Sequence, residues 1–98
     1  MSRQELLDRV RNLLLTLNGQ VDAYDDLSES ASLIQDLGLD SFALESLFSS
    51  IRDEILDVEF TPWFVRASRR GEDTVASLVD YVMEQLHQQE AERRTLAA

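Results

Sequence analysis

Apolar residues recur at helical spacing near both ends of the chain. In the first of these stretches they fall on one face, at Leu6, Val10, Leu13, Leu14 and Leu17. Ser2 followed by Glu5 forms a capping-box pattern, in which each side chain satisfies a free backbone N–H of the other residue. Asn18-Gly19 is a common helix stop. The pattern therefore predicts a helix that begins just after Ser2 and ends at Asn18-Gly19.

The stretch near the other end predicts the last helix. Its apolar positions follow an Asp73-Thr74 cap signal and are Val75, Leu78, Val79, Val82, Met83 and Leu86. The apolar stripe is lost from Gln88 onward, so this helix should end near His87. The polar tail, residues 89–98, is expected either to prolong an exposed helix or to fray.

Between these helices lies a long stretch without a lasting period. Residues 20–40 are rich in Asp, Glu and Ser, which predicts a loop, and a loop of that length in a small domain is often functional. Scattered apolar residues are expected to pin the loop across the rest of the fold, and these are Val21, Tyr24, Leu27, Leu33 and Ile34.

Two more helices are predicted after this loop. The second helix is expected to begin at Asp40-Ser41 and to run to about Leu56. Its buried stripe would consist of Leu44, Leu47, Phe48, Ile51 and Ile55. A short third helix is predicted before Gly71, because Thr61-Pro62 is typical of an N-cap followed by proline at the first helical position.

Together these elements predict an all-α fold. We expect a four-helix bundle with three long helices, one short third helix and a long loop between helices one and two. A chain of 98 residues has room for one modest core. We therefore expect one domain over residues 1–88, followed by the polar tail, and a monomer.

The charge balance narrows the range of partners. The chain has 19 acidic and 9 basic residues and a net charge of −10, which argues against binding to nucleic acid or anionic membranes. Eleven of the acids lie between Asn18 and Thr61, where Arg52 is the single base. We therefore expect basic partners that dock on the middle of the protein.

Missing residue types exclude several chemistries. Without Cys the chain cannot form disulfides, zinc–thiolate sites or a cysteine nucleophile. Any thiol that it uses must come from another molecule. His87 alone cannot build a catalytic relay, so we predict neither enzyme activity nor a metal site. The N-terminus lacks the apolar run of a signal peptide, and no stretch is apolar for long enough to cross a bilayer. We expect a cytoplasmic protein without stable membrane insertion.

The segment Asp36-Leu37-Gly38-Leu39-Asp40-Ser41-Phe42 lies where the loop is predicted to become a helix. A serine hydroxyl in the first helical turn is accessible, and an anionic ester on it would be favoured by unpaired N–H groups and the helix dipole. Gly38 permits a tight turn, and Leu37 and Leu39 are expected to anchor it. The alternative is that Asp40-Ser41 is an ordinary helix cap.

The order of these features resembles the acyl and peptidyl carrier protein family. The match runs from the first helix through the acidic loop, Leu-Gly-Leu-Asp-Ser, an amphipathic helix and a short helix to a last helix with Asp80-Tyr81-Val82. The resemblance implies that a phosphopantetheinyl transferase, with magnesium, esterifies Ser41 with the 4′-phosphopantetheine of coenzyme A. It places Asp40 beside the magnesium, and Leu39 and Phe42 beside the cofactor.

The resemblance also implies a function and a set of partners. The protein would carry an acyl group as a thioester for fatty-acid, lipid or polyketide-type synthesis. Its partners would be acyl-CoA or acyl-AMP ligases, acyltransferases or synthases. Two alternatives stay open: a peptidyl or aminoacyl carrier, and a carrier-like interaction module that is never modified.

The predicted partner surface departs from typical fatty-acid carriers. Those carry acids two and five residues after the serine, where this chain has Ala43 and Ser46, and a Leu where it has Phe42. We therefore predict a specialised carrier. On the second helix the candidate partner residues are Glu45, Asp53 and Glu54, which could also be only a solvated face. On the third they are Trp63, Arg66, Arg69 and Arg70, either a recognition patch or a core plug with a solvated cationic edge.

Overall fold

The structure, a computed structural model, describes residues 2–17 and 28–97. Within them the chain forms four helices, α1 (Arg3–Leu17), α2 (Ser41–Glu54), α3 (Thr61–Arg69) and α4 (Val75–Ala97), and no strand. The all-α prediction is confirmed for these residues. The predicted stop at Asn18-Gly19 and the loop residues Val21, Tyr24 and Leu27 lie outside them.

Helix α1 packs its apolar side against α4 and α2. The buried residues are Leu6, Leu7, Val10 and Leu14. At the start of the helix the Glu5 N–H donates to Ser2 Oγ (3.2 Å), and the Ser2 hydroxyl lies 3.3 Å from Glu5 Oε1. Half of the capping box is thus present, because the Glu5 carboxylate meets the hydroxyl of Ser2 and not its backbone N–H.

Helix α2 contributes four residues to the same core, namely Leu44, Leu47, Phe48 and Ile51. It ends at Glu54, two residues before the predicted end at Leu56, and Ile55 is its half-buried C-cap. A ring cluster continues the core toward α3, since Phe48 stacks on Phe60 with ring centroids 4.6 Å apart.

The start of α3 differs from the prediction. Thr61 is the first helical residue and not the N-cap, and Phe60 holds the cap position without a side-chain cap bond. Phe60 is buried against Phe48, so packing and the fixed φ of Pro62 fix this helix start where a hydroxyl cap was expected.

The end of α4 also differs from the prediction. The helix continues past His87 to Ala97, so the predicted end near His87 is wrong and the alternative of a prolonged helix is correct. This part of the sequence contains no glycine or proline and consists largely of good helix formers such as Gln, Glu, Ala and Arg. The loss of the apolar stripe therefore does not end the helix.

The connection before α2 is tied to the start of α4. The Leu33 N–H donates to the Asp73 carbonyl (2.8 Å), and the Val75 N–H donates to the Ala31 carbonyl (3.1 Å), around an isolated bridge between Ser32 and Thr74. Leu33 is buried as predicted, whereas Ile34 is 42% exposed and does not pin the connection. These backbone hydrogen bonds, and not the Ile34 side chain, hold the connection against the start of α4.

Candidate functional site

A tight turn over residues 37–40 leads into α2. Gly38 has a φ of +67°, in the left-handed region that favours glycine. Its N–H donates to the Ile34 carbonyl (3.1 Å), and the next N–H, of Leu39, donates to the Leu33 carbonyl (3.0 Å). Leu37 and Leu39 are both buried in the core. The burial of both leucines agrees with the prediction that they anchor the turn, while contact between Leu39 and a cofactor stays a prediction.

Asp40 caps α2 directly beside the candidate serine. Its backbone is extended, and its Oδ1 accepts from the Ala43 N–H at 2.8 Å. Its carbonyl accepts from the Leu44 N–H at 2.9 Å, the first bond of the helix. The carboxylate is thereby held at the positive end of the helix dipole, next to Ser41.

Ser41 and Phe42 open the helix on its solvent side. Ser41 is exposed, and Phe42 is 79% exposed, the largest value among the exposed large apolar residues described. No acidic residue lies in the first turn of α2. Next to Phe42 a groove runs along α2, lined also by Glu45, Ser46, Ser49 and Ser50. The arrangement offers a hydroxyl nucleophile, free helix N–H groups and an apolar contact at one point of the surface.

A buried carboxylate from the other end of the sequence braces the segment that leads to this site. Asp73 is 4% exposed, and its Oδ2 accepts from the Ser32 hydroxyl (3.1 Å) and from the Ile34 N–H (3.4 Å). Asp36 closes the segment on itself by accepting from the Ser32 N–H at 2.7 Å. Asp73 was predicted only as part of a cap signal, and no spacing in the sequence links it to Ser32, which lies 41 positions away.

The remaining predicted partner residues separate into exposed and buried ones. Exposed on α2 are Glu45, Asp53 and Glu54. Arg66 and Arg69 are exposed on α3, and Arg70 is exposed at the C-cap of that helix. Trp63 is 4% exposed, and its Nε1 donates to Ser77 Oγ at 3.0 Å. A side chain so deeply buried has almost no surface to offer a partner, so Trp63 as a partner contact is wrong and the core-plug alternative is correct for it.

Trp63 belongs to the ring cluster that joins α2, α3 and α4. Its ring lies 6.3 Å from that of Phe48 and 6.0 Å from that of Tyr81. The Tyr81 hydroxyl donates to the Glu59 carbonyl. Burial of the ring raises the pKa of Tyr81, with nearby Glu84 and Glu59 acting in the same direction and Arg66 opposing them.

Neither a metal-binding cluster nor a membrane-spanning helix is present in the described ranges. Residues 2–17 and 28–97 contain no group of three or more His, Cys, Asp and Glu side chains placed to hold a metal ion. None of the helices in these ranges combines the length and the apolar composition that a bilayer crossing needs.

Comparison with known protein families, with curated proteins and with solved structures gives no match. A function must therefore be argued from the geometry around Ser41 and from the sequence pattern.

Proposed function

We propose that this protein is a specialised carrier whose Ser41 is esterified by 4′-phosphopantetheine and which presents an acyl group to partner enzymes of fatty-acid, lipid or polyketide-type synthesis. One observation carries the proposal. Ser41 is exposed as the first residue of α2, directly after a turn in which Gly38 has a φ of +67° and Leu37 and Leu39 are buried. The hydroxyl is therefore accessible, and the backbone that carries it is held in position.

The surroundings of Ser41 fit an anionic ester. The first N–H groups of a helix have no intrahelical acceptor, and the helix dipole favours negative charge at this end. The first turn of α2 carries no acid that would repel a phosphodiester. The neighbouring carboxylate of Asp40 is turned to the Ala43 N–H through Oδ1, which leaves Oδ2 for the magnesium ion that the family resemblance implies.

The groups that this chain lacks must be supplied by the prosthetic arm and by the transferase. When attached, the arm supplies the thiol that a chain without cysteine cannot provide. In the described residues no histidine or carboxylate is hydrogen-bonded to the Ser41 hydroxyl, and His87 lies exposed on α4. We expect the transferase to supply the base that removes the Ser41 proton, while this chain positions the oxygen.

The surface of α2 supports basic partners of a dedicated pathway. Glu45, Asp53 and Glu54 are exposed on it, and such charges raise the rate of encounter with cationic surfaces more than they add affinity. Because Ala43 and Ser46 stand where acids are typical of fatty-acid carriers, this face has fewer charges to offer. Phe42 adds an apolar contact that general carriers make with a leucine.

The proposal is tested by intact mass measurement of the full chain. The unmodified protein is incubated with coenzyme A, magnesium and a promiscuous phosphopantetheinyl transferase. We expect a mass gain of one phosphopantetheine, which Ser41→Ala abolishes and Ser49→Ala retains, since Ser49 is another exposed serine on α2. Wild-type protein that gains no mass, or Ser41→Ala protein that still does, would contradict the proposal.

A second candidate function is supported by the same geometry. The bond from the Ala43 N–H to Asp40 is also what an ordinary helix start shows, and this would suit an unmodified interaction module. Protein purified from its native host decides between the two by its mass. An unmodified mass, together with full function of Ser41→Ala, supports the module, whereas an arm with its cargo supports the carrier and distinguishes acyl from aminoacyl groups.

A further inference from the structure

Helix α3 presents a cationic stripe on the side turned away from the core. Its buried residues are Trp63 and Ala67, and the exposed residues on its other side recur at helical spacing. We define the α3 stripe as these five residues, which line one groove together with Glu59 and Thr61: Pro62, Val65, Arg66, Arg69 and Arg70.

The three arginines of the stripe form no ion pair in the described part of the chain. Arg3 shows how an arginine of this protein can pair, since its guanidinium lies 2.7 Å from Glu29 and 2.8 Å from Asp80. Acids outnumber bases 19 to 9 in the sequence, yet no described carboxylate lies within ion-pair distance of Arg66, Arg69 or Arg70. Their charges are free to meet an anion from outside.

The stripe also has an apolar part. Val65 is 43% exposed and shares the groove with Pro62 and the arginines. A surface that combines cations with an apolar floor suits a ligand that has both carboxylates and an apolar side chain. None of the five residues is buried, so their side chains add little to the core.

We propose that the α3 stripe is a docking surface for an acidic segment of a partner protein, one that places Asp or Glu side chains around an apolar residue. That residue would pack on Pro62 and Val65 while the carboxylates meet the arginines. A short acidic segment touches only the stripe. An extended anion, such as a nucleic acid or a lipid surface, would also meet the rest of a protein whose net charge is −10 and be repelled by it.

This surface goes beyond the proposed carrier function and does not depend on it. The acidic face of α2 suits basic partners, whereas the α3 stripe suits a partner of the opposite charge. The unmodified protein should bind through the stripe as well as the modified one, so the experiment uses protein without an arm. Its outcome is independent of whether Ser41 is ever esterified.

The experiment follows amide chemical shifts of the ¹⁵N-labelled full chain during titration with a synthetic peptide of Glu and Asp residues flanking one Leu. We expect shifts centred on α3, and binding that weakens as salt screens the charges. Arg66→Glu and Arg69→Glu should each weaken binding by about two- to five-fold, the range of exposed charge pairs. Arg9→Glu makes the same charge change on an exposed site of α1 and should bind like the wild type.

Two further peptides test whether binding depends on an apolar residue and on the sign of the peptide's charge. Replacing the Leu of the peptide by Ser should weaken binding, and an all-Lys peptide should not shift α3. The proposal is overturned if the acidic peptide shifts no α3 amide, or if the double variant Arg66→Glu/Arg69→Glu binds as the wild type does. It is equally overturned if phosphatidylglycerol vesicles or an oligonucleotide bind the stripe more tightly than the peptide. Preserved amide dispersion in each variant verifies that it is folded.

Discussion

Replacing Asp73 by alanine tests whether the segment before α2 is held by a buried carboxylate. The change removes the acceptor of the Ser32 hydroxyl, 3.1 Å away, and of the Ile34 N–H, 3.4 Å away. A hydrogen bond to a charged group contributes about 1.5–3 kcal/mol, and donors left buried without an acceptor add to the loss. The Ile34 bond is long and weak, so we expect the free energy of unfolding to fall by about 2–4 kcal/mol.

That loss is a large fraction of the stability of a small domain, which is typically about 5–15 kcal/mol. The melting temperature should fall by roughly 10–25 °C. Urea unfolding followed by helical circular dichroism measures the change directly. Asp73→Asn keeps an oxygen acceptor and should cost about 1 kcal/mol. Asp57→Ala removes the same charge from an exposed position between α2 and α3 and should change stability by no more than about 0.5 kcal/mol.

The same variants connect stability to the candidate site. The braced segment contains Leu33, whose carbonyl accepts from the Leu39 N–H two residues before Ser41. At a temperature where Asp73→Ala is still folded, we expect slower modification of Ser41, with Asp57→Ala unchanged. The role given to Asp73 is refuted if Asp73→Ala is as stable as the wild type, or if the Asp57 control loses as much stability as Asp73→Ala does.

Two further predictions concern backbone conformation and pH. Gly38 and Gly71 both have a φ of +67°, so alanine at either position should cost about 1–2 kcal/mol in urea unfolding; at Gly71 a new Cβ would meet nothing within 4 Å, which leaves only this conformational cost. Only Gly38→Ala should also slow the modification of Ser41 in a mass-measured time course, and equal slowing by Gly71→Ala would contradict the role given to the turn. Burial raises the pKa of Tyr81, so the folded state favours the neutral phenol. This contribution to stability is complete below about pH 10 and is lost as the pH rises through the folded pKa. Unfolding measured from neutral to alkaline pH should show that loss in the wild type and not in Tyr81→Phe, whereas parallel curves would refute the assignment.

Local signals explain which parts of the fold could be predicted from the sequence. The starts of α1 and α2 follow from side-chain caps within three residues of the backbone they serve, Ser2 to Glu5 and Asp40 to Ala43. Each cap and its helix lie within one short stretch of chain. Such interactions depend little on the rest of the fold, and a pattern of residues is enough to reveal them.

Long-range packing explains the errors. The sequence predicts Thr61 as the N-cap of α3 because it precedes a proline. In the structure Phe60 is the N-cap and Thr61 is already helical, because Phe60 stacks on a ring from α2. For Trp63 the sequence leaves two alternatives open, a recognition patch and a core plug, and only the folded chain shows its ring packed near those of Phe48 and Tyr81. The bond between Asp73 and Ser32 joins residues whose proximity only the folded chain creates. The predicted end of α4 near His87 is wrong for a different reason, because a helix of good helix formers continues beyond the end of its apolar stripe; a prolonged helix was one of the two alternatives for the tail.

The register of α2 decides which of its residues face the core and which are available to the candidate site. Leu44, Phe48 and Ile51 are buried at intervals of four and three residues, which fixes the face of the helix that meets the core. Residue 42 lies on the opposite side of that helix, so its exposure is a consequence of register and no packing contact constrains its identity. A single exposed apolar residue is ordinary on a protein surface and proves nothing by itself. Phe42 contributes nothing to the core, however. Any effect of Phe42→Ser on modification of Ser41 can therefore be attributed to contact with the transferase and not to the fold.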